Sequence, residues 1–156
     1  MKQNKMEILF KAKRADNGEW VEGFYSVMKG SSSMLISRIG NPEDWQYKDV
    51  EFDMHLISNF TIPYYQGWDY RDLCNFHKVI PETVCQFTGL TDKNGNKIFR
   101  GDNLIDERSN GDFSDDVIEV SFVDGKFCYP NYGTLSDLSE VNEYSEIIGN
   151  IHDDGK

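Results

Sequence analysis

A chain of 156 residues suits one domain or two small subdomains sharing a core, and 38% hydrophobic with 13% aromatic residues exclude wholesale disorder. The net charge of −11 is lopsided: residues 1–101 hold 13 acidic and 13 basic side chains, residues 102–156 the other 14 acids and only 3 bases. Phosphate contacts need clustered Lys and Arg, so the C-terminal part argues against direct nucleic-acid binding. Its acidity reads first as a solubilising surface, and second as a mimic of nucleic acid or a lure for a basic partner.

Cys74, Cys85 and Cys128 form an odd set without CxxC spacing, which fits reduced, buried thiols better than a disulfide scaffold or zinc knuckle. Ile8-Leu9-Phe10 is too short for a signal-peptide core, and no run of about 18 apolar residues occurs, so the expectation is a cytoplasmic protein with no membrane association.

In chain order, Met6–Ala12 reads as a strand, Asp16-Asn17-Gly18 as a turn and Trp20–Val27 as the returning strand. Gly30–Ser33 reads as a small polar loop, Met34–Ile39 as a third strand closed by Gly40-Asn41-Pro42, and Pro42–Trp45 as the possible start of a helical turn. Glu51–Ile62 alternates loosely as a strand, and the aromatic, glycine-containing Tyr64–Arg71 reads as a loop. Val84–Gly89 alternates again, with Asp92–Asn96 as a turn in which Asn94-Gly95 suits positive φ at both centres of a type I′ turn. Ile98 and Phe99 return, Gly101-Asp102 breaks the strand, and Asn103–Ile105 resumes it. Asp106–Asp116 is polar loop, Val117–Phe122 a strand, Asp124-Gly125 a hairpin turn and Lys126–Tyr129 the strand that pairs back. Leu135, Leu138 and Val141 recur every three residues and predict one short helix over 134–142; Glu146–Ile151 is a last strand.

Short strands with turns every 8–12 residues point to a mostly β fold, α+β at most, with short antiparallel strands, an SH3-like small barrel in the C-terminal half and one short helix. The organisation expected is an N-terminal β subdomain over 1–78 with a variable loop segment, and a C-terminal barrel-like core over 79–156, the two forming one compact unit. Gly89, Asn94, Gly95, Gly101, Asp102, Asp124 and Gly125 are its structural turn residues.

Four separated pieces carry a family resemblance: Ile8–Ala12, Asp16–Gly23, Pro81–Val84 with Gln86–Gly95 through Gly101-Asp102, and Ile147–Ile151. In them the chain resembles the YopX family of phage and prophage proteins. Cys85 departs from a position where that family usually shows Gly, Phe99-Arg100 replaces its usual Tyr-Glu, and residues 30–78 match nothing in the resemblance. It implies a mostly β protein carried by bacteriophages and brings no established activity.

Motifs for chemistry are few. There is no GxGxxG, no GxxxxGK[ST] and no GxSxG. Asp92-x-Asn94-x-Asn96 begins like a calcium loop, but Lys97 stands where Gly is needed and Asn103 where the bidentate Glu belongs; Asp106-x-Arg108-x-Asn110 fails likewise. Asp72, Cys74 and His77 are close in sequence without an oxyanion device, and His55, His77 and His152 have no second ligand at metal spacing. No cofactor and no catalytic or metal residue is expected. The remaining candidates are Trp45, Tyr64, Tyr65, Trp68, Tyr70 and Arg71, with Tyr47 beside them: aromatic faces and an Arg fork that could fill a core, anchor a protein interface or stack on a nucleotide-like molecule. The reading is a non-enzymatic, homo-oligomeric binding protein of phage origin that acts on the host by blocking a host or anti-phage defence protein. The alternative is an oligomeric sponge for a nucleotide-like signal.

Overall fold

The computed structural model describes residues 8–37, 42–59, 75–108, 117–131 and 133–153. The fold is mostly β, and every strand pairing is antiparallel. Its strands are β1 (Phe10–Lys13), β2 (Trp20–Ser37), β3 (Gln46–Asn59), β4 (Asn75–Lys78), β5 (Cys85–Thr91), β6 (Lys97–Phe99), β7 (Asp102–Asp106), β8 (Val117–Glu119), β9 (Ser121–Val123), β10 (Lys126–Asn131), β11 (Thr134–Asp137) and β12 (Ser145–Asn150). They form a six-stranded sheet in the order β4-β3-β2-β1-β5-β6 and two three-stranded sheets, β11-β10-β9 and β12-β7-β8.

One face of the large sheet buries Ala12, Ile57 and Val79, with Phe10, Val21, Tyr25 and Val84 packed against them. A second core of Ile98, Leu104, Val120, Tyr129, Leu138 and Val141 holds the small sheets together. Both follow the period-2 rule that sends alternate strand residues to opposite faces. At Asp124-Gly125 both residues adopt positive φ, 51° and 83°, as a type I′ hairpin turn requires.

Several sequence expectations are corrected. Gly30–Ser33 is not a loop: β2 runs unbroken from Trp20 to Ser37 and absorbs the strand expected from Met34, its residues 30–33 pairing with Phe52, Glu51, Val50 and Asp49. Ladder pairing overrides the weak local propensity of Gly and Ser, and the Ser33 hydroxyl donates to Asp49 at 2.6 Å. β3 begins at Gln46, five residues before the expected start, after a 3-10 turn at Pro42–Asp44.

The helix over 134–142 is replaced by β11 and two 3-10 turns, Leu138–Glu140 and Asn142–Tyr144. A period of three is the 3-10 period, and the Asp137 side chain caps the first turn by accepting from the Ser139 N–H. At Asn94-Gly95 only Gly95 has positive φ, so the turn is not type I′. The buried Asp92 carboxylate holds it instead, accepting from the backbone N–H groups of Asn94 and Asn96 at 2.9 and 2.8 Å and from the Asn96 amide at 3.0 Å.

Val117–Phe122 is two strands. Val120, fully inside, donates its N–H to Asp102 and accepts from the Gly101 N–H, and the chain there crosses from one small sheet to the other. Asp102 directly follows the Arg100-Gly101 turn as the first residue of β7, and its side chain is 0% exposed.

Candidate interaction surface

Asp102 lies at the junction between the large sheet and the C-terminal strands. Its Oδ1 accepts from the Lys11 ammonium at 2.5 Å and the Asn150 amide at 2.8 Å, and its Oδ2 accepts from the Phe99 N–H at 2.8 Å. Lys11 lies between the rings of Trp20 and Phe99, 4.9 and 5.0 Å from their centroids. The Trp20 indole N–H donates to Asp153 at 2.9 Å. A buried carboxylate is tolerable only when paired and saturated with donors, and this one is.

Cys85 sits 3.9 Å from the Asn150 amide, and burial pushes its thiol up, against a nucleophilic role. Among the described residues no buried side-chain nitrogen or oxygen lacks a hydrogen-bond partner. The junction's groups are spent on each other.

The exposed chemistry lies on β2 and β3. β1 pairs with β2 only over Trp20–Gly23, and β4 with β3 only over Leu56–Asn59. Beyond them, nine rows from Met28–Met54 to Ser37–Gln46 pair only with each other among the described residues, a two-stranded arm about 30 Å long at ~3.3 Å per residue.

Its two faces differ because Asp49-Val50-Glu51-Phe52-Asp53-Met54-His55-Leu56 alternates strictly. One face carries Tyr47, Asp49, Glu51 and Asp53 in a row, all exposed, with Ser31 and Lys29 opposite Glu51 and Asp53. At the inner end of this face Tyr25 and His55 stack, their Oη and Nδ1 2.5 Å apart. The other face is apolar: Met28 lies opposite Met54 and Phe52 opposite Gly30, and a row of Phe24, Ser58 and Phe76 continues it onto β4. Met28, Phe52 and Phe76 are 51, 39 and 54% exposed. A Cβ on Gly30 would stand 2.6 Å from the Phe52 ring, so glycine lets that ring lie flat across the arm. Lys48 and Lys78 flank the strip, and no acidic residue stands between them.

Of the aromatic and Arg candidates, the structure places Trp45 half-buried at the outer end of the arm, just before β3, and Tyr47, 57% exposed, two residues on. Tyr64, Tyr65, Trp68, Tyr70 and Arg71 lie outside the described residues, as do Asp72 and Cys74. His77 is half-buried on β4 opposite Ile57, and His152 lies in the turn after β12. Met28, Phe52 and Phe76 were missed by sequence reasoning, although the strict alternation of residues 49–56 carried the signal for Phe52.

The model of the YopX protein family matches residues 10–156. The chain belongs to the YopX family. The crystal structure of protein EF1440 from Enterococcus faecalis resembles it over 95% of this chain and 95% of that one, at 21% identity and a TM-score of 0.46. None of the curated proteins compared with the chain matches it. The pieces that carried the YopX resemblance supply Lys11, Trp20, Asp102 and Asn150, so that pattern converges in space on the junction, where Phe99 stands at a position that departs from it. The family match runs through residues 30–78 as well, where none of those pieces fell, and so includes the arm.

Proposed function

We propose that this YopX-family chain is a non-enzymatic, phage-encoded binding protein that acts on the bacterial host by holding a host or anti-phage defence protein at the outer end of the β2–β3 arm. The observation that carries this reading is the arm itself, which extends past every other strand of its sheet and presents Trp45, Tyr47 and the row Asp49, Glu51, Asp53. Aromatic side chains on a rigid strand make good interface anchors, and a carboxylate row steers a partner whose own surface is basic. The junction supports the non-enzymatic part of the reading, because its ionisable groups are paired with one another.

The test is native mass spectrometry of the protein purified gently from its bacterial host, as the wild type and as Tyr47→Ala. The wild type is expected to carry a stoichiometric host protein, and the variant to hold it about 30-fold more weakly, the effect of truncating a hot-spot aromatic by ~2 kcal/mol. Equal retention by Tyr47→Ala removes the arm end as the site. A retained nucleotide-sized ligand in place of a protein supports the sponge.

A further inference from the structure

The apolar strip is a second feature of the arm, on different residues from its outer end. A two-stranded ribbon is marginally stable in water unless its hydrophobic face is covered. Nearer β1 the same face of the sheet is covered: Lys11, Trp20 and Glu22 share it with Met28, and Asp102, Asn150 and Asp153 close over Lys11 and Trp20. Further along, Met28, Phe52 and Phe76 remain exposed.

The chain carries a matching surface elsewhere. On β12-β7-β8, Ile105 and Val117 lie directly opposite each other, and Ile148 stands at the bulge between Ile147 and Gly149; the three are 42, 48 and 53% exposed. Glu146 is opposite Ile105, and Glu119 is two residues from Val117 on the same face. Glu107 stands beyond, sharing Lys93 with Glu146. This patch therefore has an apolar centre and an acidic rim, where the strip has an apolar centre and a lysine rim.

We propose that the chain forms a two-fold dimer in which the strip of each copy covers the Ile105–Val117–Ile148 patch of the other. Charge decides the direction. Residues 102–156 carry all of the −11, so like patches repel, while a lysine-rimmed strip on the neutral half attracts the acidic one. Area decides the symmetry. The strip spans seven residues along each strand, 24–30 and 52–58, about 23 Å by roughly 14 Å at the usual strand spacings, so one strip-on-patch contact buries on the order of 600 Å² in total. A two-fold axis makes that contact twice and reaches about 1,200 Å², the lower end of the range for stable interfaces, which an open chain of single contacts does not. Two arm ends then project from each dimer.

Sedimentation velocity over a range of concentrations tests this. The wild type is expected at twice the 18.0 kDa chain mass, and Phe52→Glu and Val117→Lys each at 18.0 kDa. An equimolar mixture of these two variants recovers a dimer, because one contact joins an intact patch to an intact strip and the other sets the introduced carboxylate against the introduced ammonium. A mixture that recovers is also proof that both variants fold. If either variant does not fold, the rims serve instead: Lys48→Glu with Lys78→Glu weakens the dimer about tenfold or more, and adding Glu119→Lys with Glu146→Lys restores it. A wild type that stays at 18.0 kDa, an assembly larger than two, a dimer untouched by these substitutions, or rim reversal without rescue overturns the proposal.

Discussion

At Asp92 a single carboxylate replaces a whole turn type. Burial pushes its pKa up, but the Asn96 amide and the backbone N–H groups of Asn96, Ile147 and Asn94 outweigh that and hold the carboxyl below the usual range. Asp153 is similar: burial raises it, and the Trp20 indole, the Asn150 N–H and the charges of Lys13 and Lys11 bring it lower. Both are ionised in the native state where the unfolded chain would begin to protonate. Their stabilisation is complete above an unfolded pKa of about 3.9 and is lost as pH falls through the lower folded values. The urea midpoint should therefore hold between neutrality and about pH 5 and drop steeply below about pH 4. Asp92→Asn should cost about 1–3 kcal/mol at neutral pH and flatten part of that acid slope, and urea titrations at several pH values will show whether it does. The turn was visible in the sequence as Asp92–Asn96. Which residue held it was not, because Asn-Gly advertises itself by composition while a buried Asp is recognised only by the donors that surround it.

The arm shows what local pattern reveals about an element and what it hides. The alternation of residues 49–56 identifies β3 and both of its faces. The run Gly30-Ser31-Ser32-Ser33 conceals the continuity of β2, since it lacks β-formers and is strand only because β3 lies beside it. Likewise Leu135, Leu138 and Val141 announce a period of three, which is shared between a strand end and 3-10 turns. Because the outer rows of the arm pair only with each other, the rest of the protein should not need them. Replacing residues 33–49 with Asn-Gly removes the four outermost rows and closes the ribbon at Ser32–Val50 with turn chemistry suited to a hairpin. Thermal unfolding should then shift by no more than a few degrees, corresponding to about 1 kcal/mol or less. Host-protein capture should disappear with Tyr47. A collapse of the folded state would show instead that the outer arm supports the sheet.

For the molecule as a whole, the mostly β class and the family were legible because they rest on turn residues and alternation, both local. The junction was not. Lys11 occupies an ordinary polar position in a strand, and nothing near it shows that its partner is Asp102. Removing the cation leaves a carboxylate with no exposure and only two neutral donors, so Lys11→Met should cost about 3 kcal/mol, within the range for breaking a buried pair. The double variant Lys11→Met with Asp102→Asn should cost less than the two singles combined, since the buried charge goes with its partner; urea unfolding of all four proteins measures that coupling. Additive losses would mean that Lys11 stabilises through its packing on Trp20 and Phe99 alone.

That junction also sets a schedule. Lys11 must wait for a residue 91 positions later, and Trp20 for one 133 positions later. During synthesis the first two strands leave the ribosome long before the groups that neutralise and cover them exist. At roughly 5–20 residues per second the interval is on the order of ten seconds, a long time for an apolar ribbon to stand unfinished in a crowded cell. Contacts so distant in sequence also make for slow closure once the chain is complete. A nascent chain of this kind is a natural client for a chaperone that shields exposed strands until residues 150–153 have been made.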